Sequence, residues 1–399
     1  MFGLIDCNNF FVSCERARNP KLNGIPVIVL SNNDGCIVAL SNEAKVLGLH
    51  RSDPYFKVKA ICEANGVVAL SGDHKLYRHI SAEVMSSLQS IIGNDIEIYS
   101  IDEAFINISP SVGNMAEFGH YIVDTIMDNV GIPVSLGIAR TKTLAKVAAL
   151  YAKRYPGYKS VTLIDSPENE EKALSLISCR EVWGIGPRIA TKLKTYGINS
   201  ALQLRNLSDE TVNSMFSLPT IQTWQELNGI PTIELRKTPP ERKSISISRT
   251  LPKEISDINT LSELVSSFAE KTSESLRQQG LMTKEVSVMI RTNRFHTLSQ
   301  QHCGSTTVKL PDYTDYTPEI AKAAIDGLIR IFCPGYNYKQ VGITLHHMCA
   351  RSAHPANLFA NANDEAKKER LMKVIDTINS NPKLNRVKIA SNSNRKSNK

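Results

Sequence analysis

The sequence predicts an α+β fold containing two βαββαβ units, on three observations. With residues 12–70 set aside as an insertion, the periodicities of residues 1–138 read strand, helix, strand, strand, helix, strand. The same order returns between residues 244 and 347. Two adjacent acids, Asp102 and Glu103, sit between two apolar-alternating runs, as at the turn of a β-hairpin.

Residues 1–6 read as a short buried strand ending in Asp6, and residues 7–16 follow with the paired aromatics Phe10 and Phe11. Pro20 and Gly24 turn the chain, and residues 26–30 form a strand of mostly β-branched residues. Asn32-Asn33-Asp34-Gly35 is a dense turn signal. Residues 36–40 give a return strand, and 42–47 a short helix that stops at Gly48. Residues 74–92 are helical, with Ile80, Val84, Leu88, Ile91 and Ile92 on one face. The hairpin runs, 96–99 and 104–108, come next, then a helix over 115–130 and a strand over 133–138. This is the split βαβ, ferredoxin-like order, in which the third strand lies between the first and second, antiparallel to both. The end of the first strand then stands beside the start of the third, and Asp6, Asp102 and Glu103 gather at one sheet edge.

The second half begins with Glu181-Val182-Trp183-Gly184-Ile185-Gly186-Pro187-Arg188 and a helix over 189–195, the pattern of a helix-hairpin-helix. Gly184 and Gly186 let backbone N–H groups approach a phosphate, and Arg188, Lys192 and Lys194 add charge. Residues 231–243 read as an extended linker, because Pro231, Pro239 and Pro240 deny helix. The second unit follows as strands 244–250, 285–291, 305–310 and 341–347, with helices over 261–279 and 318–332. Thr260 and Glu263 read as a capping box, and Thr317-Pro318 as a helix start. Ile245, Ile247, Val286, Val288 and Ile290 point inward. Ser244, Ser246, Ser248, Ser287 and Arg291 face the other way, a surface suited to phosphates. Beyond His354 the chain turns polar and Asn-rich, with an amphipathic helix over 365–378 and disorder expected after it.

Composition narrows the classes. A chain of 399 residues suggests about two to four domains. No apolar run approaches the roughly 18 residues of a membrane span, and the start lacks the pattern of a signal peptide. The eight cysteines contain no CxxC, which argues against zinc and for free thiols in a reducing cytosol. The net charge of +8 is uneven: residues 351–399 hold 11 Lys/Arg against 4 Asp/Glu. Residues 136–159 hold six basic residues and no acid. Both stretches point to polyanions.

Adjacent acids repel, so a fold that holds three together calls for a cation. Three carboxylates suit two Mg²⁺ ions about 3.5–4 Å apart, the arrangement that serves in-line phosphoryl transfer. Polymerases, nucleases and nucleotide cyclases all use it. Lys45 and the run from Lys142 to Lys153 offer ammonium groups to a triphosphate as point charges. Phe10 and Phe11 offer an apolar floor under a sugar.

Four segments carry a specific resemblance: Ile5-Asp6-Cys7-Asn8-Asn9-Phe10-Phe11-Val12-Ser13-Cys14-Glu15, Ser41-Asn42-Glu43-Ala44-Lys45, Tyr99-Ser100-Ile101-Asp102-Glu103-Ala104-Phe105, and the run from Gly137 to Lys146. They resemble the motifs of the Y-family translesion DNA polymerases, and the Asn32-to-Cys36 turn resembles the bacterial UmuC type in particular. The resemblance spans residues 1 to about 375. It implies a right-hand polymerase: ferredoxin-like palm (1–11 and 71–165), inserted fingers (12–70), helical thumb with the helix-hairpin-helix (166–230), linker (231–243), βαββαβ little finger (244–350) and a basic flexible tail (351–399).

The resemblance implies Asp6, Asp102 and Glu103 as catalytic metal ligands for two Mg²⁺, with the Cys7 carbonyl a further ligand. It implies Phe11 as the steric gate against a ribose 2′-OH, Phe10 as its support, and Lys45 and Lys153 as triphosphate contacts. DNA contacts would come from Gly184, Gly186, Arg188, Lys192, Lys194, Ser246 and Arg291. Two departures stand out: Ala39 and Asn42 replace hydroxyl-bearing triphosphate contacts of other branches, and the gate is Phe where near relatives often have Tyr. Pro355-Ala356-Asn357-Leu358-Phe359 resembles the family's sliding-clamp peptide with Pro in place of its leading Gln, leaving Leu358 and Phe359 as anchors.

The expected function is error-prone, template-directed addition of dNTPs to a primer 3′-OH on damaged DNA, within an SOS-type response. The expected partners are primer-template DNA, dNTP, a UmuD′-like subunit, a recombinase filament and the sliding clamp. No membrane is expected, and the setting is bacterial, cytoplasmic and nucleoid-associated. The same residues leave two other readings: a catalytically inactive DNA- or clamp-binding accessory subunit, and a palm-type nucleotide cyclase.

Overall fold

The computed structural model describes residues 1–31, 35–109, 111–238, 241–296, 300–353, 362–381 and 384–388. The chain divides into two compact units, Met1–Pro239 and Pro240–Lys399.

The first unit opens with β1 (Phe2–Cys7) and α1 (Phe10–Arg18), then β2 (Val27–Leu30), β3 (Ile37–Leu40), α2 (Asn42–Val46), α3 (Tyr55–Ala64) and β4 (Val68–Ser71). It continues with α4 (His74–Ile92), β5 (Ile96–Ile98), β6 (Glu103–Asn107), α5 (Met115–Val130), β7 (Val134–Ala139), α6 (Lys142–Arg154) and β8 (Val161–Ile164). The helices α7 (Pro167–Leu176), α8 (Pro187–Thr195), α9 (Ala201–Arg205), α10 (Asp209–Met215) and α11 (Leu218–Leu227) close it.

The main sheet has the order β5-β6-β1-β7-β8. β6 lies between β1 and β5 and is antiparallel to both, as the ferredoxin-like order requires. β7 flanks β1 on its other side, and β8 extends the sheet in parallel. One face buries Ile5, Ile106, Leu136 and Ile138 against α4 and α5. The other face carries Leu4, Phe105 and Ala139, packed with buried residues of α6 to α9. Alternation along β1 and β6 divides the two cores. The insertion forms its own sheet, β3-β2-β4, with a small separate core around Ile28, Ile37 and Leu49. Sequence periodicity passes over α3, β4, β8 and α7.

Gly137 sets how close α6 comes to the sheet. A Cβ built there would lie 1.9 Å from the Ala149 backbone nitrogen, so only glycine lets this helix lie against β7.

The linker is fastened rather than loose up to residue 237. Glu226, fully buried in α11, accepts from the Ile233 amide (2.9 Å) and from the Thr143 amide and hydroxyl (2.8 and 2.9 Å). The Arg236 amide donates to Glu97 (2.7 Å), and Lys142 donates to the Glu234 carbonyl (2.8 Å).

The second unit comprises β9 (Ile245–Ile255), α12 (Ile258–Gln278), β10 (Leu281–Thr292), β11 (Cys303–Thr314), α13 (Thr317–Ile331), β12 (Tyr338–Ala350) and α14 (Ala362–Ser380). Its strands are longer than periodicity alone suggests. They are ordered β11-β10-β12-β9, all antiparallel, which differs from the order in the first unit. Val286, Val288 and Ile290 are fully buried under α12 and α13, as their alternation predicts. The cap of α12 is Asp257, whose carboxylate accepts from the Thr260 amide (2.7 Å), so Thr260 is not the N-cap. A capping Asp three residues earlier also accepts the Thr260 hydroxyl (2.8 Å), which removes that hydroxyl from a capping box.

α14 covers the amphipathic helix expected over 365–378 and is tied down within its own unit. Asp376 receives a two-pronged Arg277 bond (2.6 and 2.7 Å), Lys368 reaches Glu319 (2.8 Å), and Met372 is buried. The clamp-like residues Leu358 and Phe359, and the turn residues Asn32, Asn33 and Asp34, lie outside the described residues.

Candidate active site

The site is built on the register of two strands. Asp6 on β1 is directly opposite Glu103 on β6, so both carboxylates leave the same face of the sheet. Asp102 immediately precedes β6, and its carbonyl accepts from the Cys7 amide (2.9 Å). Ser100 shapes the turn: its hydroxyl donates to Asp102 Oδ1 (2.6 Å) and accepts from the amides of Asp102 and Glu103 (3.2 and 3.1 Å). Topology thus gathers the three acids at one edge.

Helix α6 supplies the counter-charge. Lys146 and Lys153 are seven residues apart, two turns on one face. Lys146 Nζ donates to both Glu103 oxygens (2.9 and 3.1 Å), and Lys153 Nζ to Asp6 (2.7 Å). Lys146 also stands 4.7 Å from the Tyr99 ring and 5.6 Å from those of Phe105 and Trp183. Asp6, Glu103, Lys45, Lys146, Lys153, Arg154 and Trp183 line one cleft of about 500 Å³. In the sequence Lys146 is one cation of a basic run with no role of its own; its pairing with Glu103 emerges only in three dimensions.

Each carboxylate is tied to a different partner, and no cluster of three His, Cys, Asp or Glu is preassembled as a metal cage among the described residues. The donor chemistry nonetheless fits a hard divalent cation: oxygen atoms alone, partly exposed, with Asp6 and Glu103 facing a charged cleft. The Cys7 thiol adds nothing to that set. Burial, then the nearby Asp6 and Asp102 charges, hold it well above the usual thiol range, so only its carbonyl is eligible.

The nucleotide side is shaped by the turn before α1. Asn9 adopts φ 47°, donates through Nδ2 to Asn42 (3.1 Å) and accepts from Lys45 Nζ (2.7 Å). Asn42 Oδ1 also accepts from Lys45 (3.0 Å). Burial, then Lys153, lowers the Lys45 pKa below the ordinary lysine value. Phe11 stacks on Tyr77 with centroids 4.3 Å apart, and the buried Tyr77 hydroxyl donates to Glu15 (2.7 Å). Phe10 is 4% exposed and belongs to the core, so of the two rings only Phe11 is available to a sugar.

Lys142 corrects a sequence expectation. Its Nζ is buried against Glu97 and the Glu234 carbonyl, which removes it from any triphosphate. In the helix-hairpin-helix segment, Gly184 has φ +85° and faces the Thr223 hydroxyl, and Gly186 caps α8. Arg188 and Lys194 are exposed. Lys192 is engaged by the Met215 carbonyl (2.6 Å). In the second unit, the Ser246 hydroxyl bonds Thr344 (2.9 Å) and Ser287 bonds Thr307 (2.7 Å), a hydroxyl ladder on the outer face that also holds Arg291.

A ferredoxin-like sheet with three carboxylates at the end of its first strand and the start of its third, an inserted subdomain, a helical segment and a second βαββαβ unit define a right-hand polymerase. Residues 5–150 match the profile of the impB/mucB/samB family, and residues 242–358 that of the family's C-terminal domain. The chain is 35% identical over 382 residues to protein UmuC of Salmonella typhimurium, covering 95% of this chain and 90% of that one. It is 34% identical over 393 residues to protein ImpB of Salmonella typhimurium, covering 96% and 91%. A DNA polymerase IV of Alkaliphilus oremlandii is 28% identical over 305 residues, 75% of each chain. A solved Y-family DNA polymerase chimera shares the fold with a TM-score of 0.69 at 21% identity, covering 87% of this chain and 99% of that one. The chain belongs to the impB/mucB/samB family and is a UmuC-type Y-family polymerase.

Proposed function

We propose that the cleft lined by Asp6 and Glu103, with Asp102 next to Glu103 at the start of β6, is the polymerisation site of this translesion DNA polymerase. The observation that carries the proposal is the direct Asp6–Glu103 register inside a cleft that also holds Lys45, Lys146 and Lys153. Family membership implies dependence on a divalent metal. Two Mg²⁺ would be held by Asp6, Asp102, Glu103 and the Cys7 carbonyl, and when bound they supply acidity to the primer 3′-OH and charge stabilisation at the phosphates.

The chain's own groups do the rest. Lys45, oriented by Asn9 and Asn42, meets the triphosphate with Lys153. Phe11, braced by Tyr77, forms the wall under the sugar. The 3′-OH attacks the α-phosphate in line, a new P–O bond forms, and pyrophosphate leaves. Arg188 and Lys194, with the amides near Gly184 and Gly186, hold duplex phosphates, and Lys192 contributes once released from Met215. Arg291 and the Ser246 face hold the DNA backbone from the little finger.

A UmuD′-like subunit, a recombinase filament and the sliding clamp are the proposed protein partners, the clamp through Leu358 and Phe359. Among the described residues no helix is long and apolar enough to cross a membrane, and a cytoplasmic, nucleoid-associated site of action is proposed. Primer extension by the full chain, against Asp6→Ala, tests the reading. Extension on damaged and undamaged templates that Asp6→Ala abolishes supports it. Equal extension by both proteins refutes the site, and none by either, partners included, favours the accessory subunit.

A further inference from the structure

The second unit contains a cysteine, Cys333, to which the proposed polymerisation chemistry gives no role. Cys333 follows α13 and is half-buried. Its Sγ lies 3.4 Å from His302 Nε2. His302 Nδ1 lies 3.1 Å from the Tyr338 hydroxyl, which is also 3.1 Å from the Cys333 carbonyl and 3.0 Å from the Cys333 amide nitrogen. A phenol has one proton, and a carbonyl can only accept it. With that proton on the Cys333 carbonyl, the hydroxyl accepts from the Cys333 amide and from His302 Nδ1–H. The neutral imidazole therefore presents its lone pair at Nε2, toward the thiol. The Tyr336 ring, 5.1 Å from the imidazole, and the buried Tyr338 fix its orientation.

The other two thiols of the second unit differ. Burial, then the Asp312 charge, raises the Cys349 pKa, and Cys303 is exposed on β11.

We propose that Cys333 is a modification site, a thiol activated by His302 that reacts with low-molecular-weight disulfides of the glutathione class. The Cys333 proton passes to His302 Nε2, and the sulfur attacks one sulfur of the disulfide. The protein–small-molecule S–S bond forms as the original S–S bond breaks, and the departing thiolate takes the proton from the imidazolium and leaves as a thiol. The disulfide is the only oxidant needed, and excess thiol reverses the step.

Competition labelling of the full chain tests this, with brief iodoacetamide exposure at neutral pH and mass-spectrometric mapping. Cys333 should alkylate about tenfold faster than the more exposed Cys303, as expected of a base-assisted thiol. Glutathione disulfide should add to Cys333 first, and dithiothreitol should remove it. His302→Gln and Tyr338→Phe should each bring the Cys333 rate down to that of Cys303 or below, while the half-buried Cys349 of the same unit keeps its labelling rate as a folding reporter. Cys333 labelling more slowly than Cys303 in the unaltered chain, or at an unchanged rate in both variants, overturns the proposal.

Discussion

Asp6 stands directly opposite Glu103, and the two are held by lysines two turns apart on one helix, Lys153 and Lys146. The strand register and the helix face therefore position the same pair of acids from two sides. Replacing Asp102 or Glu103 by Ala should abolish primer extension and leave DNA affinity nearly unchanged, because the proposed phosphate contacts lie elsewhere. Binding and single-turnover extension measured on the same preparation check this. Near-normal extension by both variants would refute the assignment.

Phe11 is stacked on a buried tyrosine, so its ring has little freedom to yield to a larger sugar. Phe11→Ala should raise ribonucleotide over deoxyribonucleotide incorporation by at least about tenfold, the lower end of what pocket contacts discriminate. The ratio of kcat/KM for the two nucleotides reads this directly. An unchanged ratio places the gate elsewhere.

Much of this is legible in the sequence, and the reasons are physical. The helices 74–92 and 115–130 appear with their bounds intact, because a long amphipathic period ended by glycine has few alternatives. The carboxylate edge follows from element order alone. The role of Lys142 is not legible: a lysine in a basic run looks like its neighbours until the fold buries it. The fastening of the linker is equally hidden, since prolines report the absence of helix and say nothing of what the extended chain leans on. At the start of α12, Asp257 and Thr260 are both good caps three residues apart, and only geometry chooses Asp257.

The helix-hairpin-helix cations should not act alike. Arg188 and Lys194 are exposed, whereas Lys192 donates to the Met215 carbonyl and lies 5.3 Å from the Phe216 ring. Replacing Arg188 and Lys194 together should flatten the salt dependence of DNA affinity by about 0.9 in slope for each phosphate that is no longer neutralised. Lys192→Ala should lower thermal stability as well. Affinity measured from low to moderate salt separates the two effects, and an unchanged slope in the double variant would make this hairpin structural only.

Lys142 and Glu97 form a buried ion pair that also fixes the chain leaving α11. The ammonium bonds the Glu234 carbonyl (2.8 Å) and lies 4.7 Å from the Phe105 ring, while the Glu97 carboxylate accepts the Arg236 amide (2.7 Å). Removing one partner strands the other, so Lys142→Ala should cost roughly 3–5 kcal/mol. Lys142→Met combined with Glu97→Gln removes both charges, retains volume and an acceptor for Arg236, and should recover most of that loss. Urea denaturation measures the stabilities, and amide exchange at Arg236 reports whether the linker has been released. Because the pair has no place in the proposed triphosphate site, the double variant should keep its KM for dNTP. Wild-type stability in Lys142→Ala would refute the anchor, and a raised KM in the stable double variant would return Lys142 to the nucleotide site.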